Sequence, residues 1–133
     1  MSTKVLAVVA GLAAWVGVVV VLGEVMRLSW PAYASVAAAM TFTLSMLVAR
    51  LSISFVAALA AGFVTAAIAQ RSLLAKLMPG ALLLVAFVPV HINLWDKFPV
   101  WYHITFLLSL VPLTYLGGTR WSPRQGRRAM HVA

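Results

Sequence analysis

Long apolar stretches alternate with short polar punctuation along this chain, at intervals that suit a lipid bilayer. The first stretch covers residues 5–23, 19 positions without a charge after a single Lys4. A helix needs about 20 mainly apolar residues to cross the hydrocarbon core. A secretory leader would instead carry a core of roughly 7–15 residues followed by its cleavage site. Here the run is longer, and Glu24 and Arg27 stand between it and the small-residue triplet Ala32-Tyr33-Ala34. The pattern predicts a retained first span over 5–23.

Glu24 and Arg27 mark the exit from lipid. Trp30 and Tyr33 suit the headgroup level, and Pro31 suits the first turn of a new helix. From 32 to 69 the chain is apolar except for Arg50 and scattered Ser and Thr. One continuous helix there would be about 57 Å long, nearly twice the hydrocarbon thickness. Two layouts follow. Residues 46–52 contain no Gly, Pro, Asn or Asp to make a hairpin, which favours one span over 44–70 with a preceding helix over 32–43. Splitting the segment near Arg50 gives a five-span alternative.

The next span is expected over 79–94, with Pro79 near its start and Pro89 inside it. Trp95-Asp96-Lys97-Phe98-Pro99 reads as a short turn, and the last span covers 99–117 with an internal Pro112. Gly117-Gly118 ends it, since Gly suits the position just past a helix. The expected architecture is all-α: a polytopic integral membrane protein with four transmembrane helices (five in the alternative) in one small bundle over 1–119. A basic tail follows over 120–133.

Composition strengthens this picture. The chain is 64% hydrophobic and 9% charged, against about 25% charged residues in an ordinary soluble domain. Its mean hydropathy is +1.04. So few charges cannot cover a globule, which excludes a soluble enzyme, a nucleic-acid-binding domain and a disordered tail. The formal net charge of +8 is a matter of topology. In the four-span layout Lys4, Arg71, Lys76, Arg120, Arg124, Arg127 and Arg128 share one side, against Arg27, Arg50 and Lys97 on the other. Lys and Arg collect on the cytoplasmic side, so the C-terminus is expected there in either layout. No nucleic-acid partner is expected. With no Cys, the chain offers neither disulfide nor thiolate chemistry.

Two constellations are candidates for function. Arg50, Ser54, Ala58, Gly62, Ala66 and Gln70 recur every four residues. Small residues at that spacing let helix backbones approach closely, so Ser54, Ala58, Gly62 and Ala66 are the expected packing surface. The surface can serve self-association or another membrane protein, or it can pack against the chain's own helices. The second constellation is polar: Glu24, Arg50, His91, Asp96 and His103 all fall near one membrane boundary in the four-span layout. Ionisable groups near lipid are costly and tend to be functional. Glu24 can pair with Arg50, or with Arg27 three residues on, or serve as a proton or cation site. His91 and His103 flank the turn with Asp96 between them. They can bind a divalent metal as a His/His/carboxylate set, form the axial pair of a haem, or sit in an aromatic belt with Trp95, Trp101 and Tyr102.

No phosphate-binding Gly loop, nucleophile elbow or His-Glu-x-x-His pair occurs, and no catalytic residue is expected. The layout resembles a broad group of small bacterial inner-membrane proteins of four helices. The residues that carry the resemblance are Glu24 closing the first helix, Trp30-Pro31, the Ala/Gly-rich stretch 57–69, Pro99-Val100-Trp101 and Leu116-Gly117-Gly118. It implies four spans in the bacterial cytoplasmic membrane and no particular activity. The expected function is therefore a non-catalytic accessory or structural subunit, or a homo-oligomer, packing through small-residue faces. A small transporter or channel with its site near Glu24, Arg50, His91 and His103 is the alternative, and a metal- or haem-binding membrane protein the third. No cofactor is expected outside that third reading, and the sequence names no substrate.

Overall fold

The computed structural model describes residues 2–69 and 72–120. Among them every regular element is an α-helix: α1 (Thr3–Ser29), α2 (Pro31–Val36), α3 (Leu44–Ile68), α4 (Leu73–Asn93) and α5 (Val100–Arg120). Four of these, all but α2, are long and apolar enough to cross a membrane. Gln70, Arg71 and the basic tail beyond Arg120 lie outside the described residues.

Local chemistry explains where each helix starts and stops. Ser2 caps α1 by accepting a hydrogen bond from the Val5 amide at 3.2 Å. The helix continues past residue 23, the expected limit of the span, because neither Glu24 nor Arg27 breaks a helix. They sit three residues apart on its surface and pair at 2.6 Å. Pro31 is what ends it. The residue before a proline is pushed out of the helical region, and Trp30 has φ −128° and ψ 88°. Pro31 then opens α2 at the position where its missing N–H costs nothing.

The expected helix over 32–43 is cut short at Val36. A turn follows through Met40, whose φ of 57° is the one left-handed non-glycine backbone among the described residues. Thr43 then caps α3, its hydroxyl accepting from the Met46 amide. So the long apolar segment breaks between 37 and 43, short of Arg50, and the second half runs as one helix of 25 residues. Ser72 caps α4 through the Ala75 amide, which starts that helix six residues before the predicted 79 and places Pro79 inside it.

The helices form a ring in the order α1, α3, α5, α4, with α3 the most buried. α1 and α4 touch each other only sparsely. α3 and α5 run parallel, from Arg50 beside Tyr102 at one end to Gly62 beside Thr114 at the other. They approach so closely there that a Cβ on Gly62 would fall onto the Thr114 carbonyl, and one on Gly117 onto the Leu59 carbonyl. Ser54, Ala58, Gly62 and Ala66 are all buried inside this bundle. The four-residue stripe therefore packs against the chain's own helices, and it is not an outer surface that a partner could use. The centre is filled: Ala57, Ala58, Ala61 and Leu110 are fully buried, as are Thr65 and Thr114. Each of those threonines satisfies its hydroxyl on a carbonyl one turn back, Thr65 on Ala61 and Thr114 on Leu110. Large apolar side chains such as Val16, Val20, Val85 and Leu108 point outward. α2 and the 94–99 turn close the end opposite to Thr3, Ser72 and Thr119.

Candidate functional site around Arg50

At that closed end, the sequence packs rings where the helices begin and stop. Trp30, Tyr33, Phe42, Phe98 and Tyr102 stack in a column, each ring 4.9–6.1 Å from the next and tilted by no more than 29°. Arg50, about 9 Å inside α3 at 1.5 Å per residue, reaches this column. Its Nη1 donates to the Tyr33 hydroxyl at 2.6 Å and its Nε to the Tyr102 hydroxyl at 3.4 Å. The guanidinium carbon lies 4.7 Å from the centre of the Phe42 ring, a cation–π distance. Among the described residues no carboxylate pairs with Arg50. Glu24 is bonded to Arg27 on the exposed side of α1 instead. Of the two expected partners for Glu24, the near one in sequence takes it, because an i, i+3 pair needs no tertiary approach.

His91 and His103 meet directly, with Nδ1 to Nδ1 at 2.7 Å and both rings buried. His103 Nε2 lies 3.3 Å from the Trp95 carbonyl oxygen, and the His103 ring stacks on the Trp95 indole. A carbonyl only accepts, so His103 carries its hydrogen on Nε2. In the neutral pair His103 Nδ1 then accepts from His91 Nδ1–H. In this arrangement the two nitrogens stand closer than a shared metal ion would hold them. Two imidazole nitrogens on one tetrahedral zinc stand roughly 3.3 Å apart, given Zn–N distances of about 2.0–2.1 Å. At 2.7 Å they bond to each other. A haem would need its iron and macrocycle between the two rings. Asp96 is exposed on the turn and has no bond to either histidine. No three ligating side chains come together among the described residues.

The two clusters share Tyr102, which bonds Arg50 and stacks on His91 with ring centres 6.3 Å apart. Beside them lies a cavity of about 230 Å³. Its walls come from Trp15, Gly23 and Met26 of α1, Arg50 and Ser54 of α3, Phe87 of α4 and Phe106 of α5, with Tyr33 and Tyr102 at the Arg50 end. Two of the lining residues each hold a buried polar atom without a hydrogen-bond partner, Trp15 Nε1 and Ser54 Oγ.

The structure thus joins Arg50 to the neighbourhood of the histidine pair and leaves Glu24 and Asp96 outside. Sequence reasoning missed Trp15, Tyr33 and Tyr102 as site residues, assigning the tyrosines to the membrane interface. One signal was legible: a lone arginine in an apolar run needs hydrogen-bond acceptors, and the tyrosines near the helix ends supply them. No family model, no curated protein and no solved structure matches the chain.

Proposed function

We propose that the chain is a four-span protein of the bacterial cytoplasmic membrane, with its C-terminus cytoplasmic, whose working part is the Arg50 site. The site binds a solute and does not catalyse a reaction, as in a small transporter. One observation carries the reading: a cation lies within an apolar helical bundle, hydrogen-bonded to neutral hydroxyls only, beside a cavity with no carboxylate in its lining. A charge held that way near lipid is costly, and such groups tend to mark ligand paths. The packed centre argues for a binding site entered from one side and against a pore along the bundle axis. The small-residue stripe, enclosed by the chain itself, supplies no partner surface for the subunit reading.

Native mass spectrometry of the protein released from its own membrane in mild detergent tests this. The expected spectrum shows a bound small molecule in the wild type that is lost in Arg50→Gln. A spectrum without any Arg50-dependent adduct would overturn the reading, and a stoichiometric protein partner would return weight to the subunit.

A further inference from the structure

We infer that the Arg50 cavity holds the anionic oxygen headgroup, carboxylate or phosphate, of a membrane amphiphile whose apolar chain leaves through the seam between α1 and α4. This inference rests on the binding-site reading and specifies its ligand.

The polar groups of the lining residues are hydrogen-bond donors. Arg50 only donates. Tyr33 and Tyr102 accept from it, so each keeps its own O–H to give. Trp15 Nε1–H only donates, and the Ser54 hydroxyl can. Trp15 is 6% exposed and Ser54 3% exposed, and neither polar atom has a partner. No carboxylate lines the cavity. A ligand that satisfies such a wall presents acceptor atoms and negative charge, and charge-assisted bonds to an oxyanion are the strong ones.

The remaining wall decides the source of that anion. Val19, Gly23, Met26, Ile53, Phe87 and Phe106 present carbon. At about 30 Å³ per water, 230 Å³ is the volume of roughly eight waters: a headgroup and a few carbons, with the rest of a chain outside. Apolar surface that such a chain could cover lies along the same two helices, once the Trp15 and Phe87 rings part. Beyond the Trp15–Phe87 contact, with ring centres 5.2 Å apart, a second cavity of about 350 Å³ runs between α1 and α4. Val8 and Leu12 face Leu74, Met78 and Leu82 there, and its wall is almost wholly apolar. The seam is also the loosest in the bundle. A free inorganic anion would gain nothing from these surfaces, whereas an acyl chain would bury them.

The test is lipid retention by native mass spectrometry of the full-length protein. The delipidated protein is incubated with mixed micelles containing phosphatidylglycerol or a long-chain fatty acid, with the uncharged amphiphile diacylglycerol, or with millimolar inorganic phosphate or acetate alone. We expect one anionic amphiphile per chain in the wild type and retention reduced about tenfold or more in Arg50→Gln, in line with loss of a charge-assisted bond. Arg27→Gln, which removes the exposed cation at the same end, should retain lipid as the wild type does. Gly23→Leu guards against misfolding of the Arg50 variant: Gly23 lines the cavity, and a Cβ there meets nothing within 4 Å. It should lose the lipid while keeping the wild-type melting temperature. Equal binding of free phosphate or acetate would replace the amphiphile with a small anion. Arg50-dependent binding of diacylglycerol, which has no anionic oxygen, equal to that of the anionic lipids would overturn the inferred charge and leave the binding-site reading standing. Retention of the anionic lipid unchanged in both Arg50→Gln and Gly23→Leu would place it elsewhere on the protein and overturn the inference.

Discussion

Nδ1 of His91 and Nδ1 of His103 lie 2.7 Å apart, so the last residues of α4 and the first turn of α5 are joined by a bond between two side chains of the same kind. Only one of the two nitrogens can carry the hydrogen. The Trp95 carbonyl selects which, because it requires the hydrogen of His103 on Nε2. We expect 15N spectra of the neutral pair to show His103 as the Nε2–H tautomer and His91 with its hydrogen on Nδ1. The reverse assignment would mean that the Trp95 contact is not a hydrogen bond.

The same geometry predicts indifference to metal. Zinc, cobalt or a chelator should leave the melting temperature unchanged, and the purified protein should carry neither stoichiometric metal nor a haem absorption band. A metal-dependent shift that His91→Phe abolishes would show that the pair opens to bind an ion.

Arg50 should depend on its two tyrosines unequally. The Tyr33 contact is 2.6 Å long and the Tyr102 contact 3.4 Å, and bonds weaken as they lengthen. Loss of a hydrogen bond to a charged group costs about 1.5–3 kcal/mol, so Tyr33→Phe should lower stability by that order and Tyr102→Phe by less. Chemical or thermal unfolding in detergent measures both. A larger loss at Tyr102 would reverse the ranking of the contacts. By contrast, Glu24→Gln should leave unfolding unchanged, since the Glu24–Arg27 pair is exposed on both sides.

Gly62 tests whether the small-residue stripe is internal. Gly62→Leu must displace the Thr114 backbone, and overpacking of this kind costs about 1–3 kcal/mol or more. We expect a lower melting temperature and an unchanged particle mass for the folded fraction. Gly17→Leu, where a Cβ meets nothing within 4 Å, is the matched control and should melt near the wild type. A mass change at Gly62→Leu with full stability would put the stripe on an outer surface after all.

The chain has no cysteine, so single-cysteine labelling can report the topology without background. With four spans, Thr3→Cys and Thr119→Cys should react with an impermeant maleimide from one side of the membrane and Asp96→Cys from the other. Labelling of Thr3→Cys and Thr119→Cys from opposite sides would require an odd number of spans.

What the sequence determined by itself is the set of long helices and most of their ends. An apolar run near 20 residues has one way to satisfy its backbone in lipid, and prolines and capping hydroxyls act on their immediate neighbours. Pro31 ending α1 and Ser72 capping α4 are effects within a few residues, written in order along the chain, whereas Gly117-Gly118 does not end the last helix as expected: α5 runs on to Arg120, and Gly117 lies against the Leu59 carbonyl. The break after Val36 was less legible, because no Gly or Pro marks it and Met40 takes the left-handed turn against its own preference. What each helix face meets was set by long-range packing. A four-residue spacing says that Ser54, Ala58, Gly62 and Ala66 share a face; it does not say whether α5 or another molecule lies against it. Nor does it tell that Arg50 bonds Tyr33, 17 residues away, and Tyr102, 52 residues away, in place of the acid at Glu24. The two histidines illustrate the limit most plainly. Their positions beside the 94–99 turn put them at one depth, but the difference between two ligands of one ion and two partners in one bond is about 0.6 Å, set by how α4 and α5 pack rather than by any residue type.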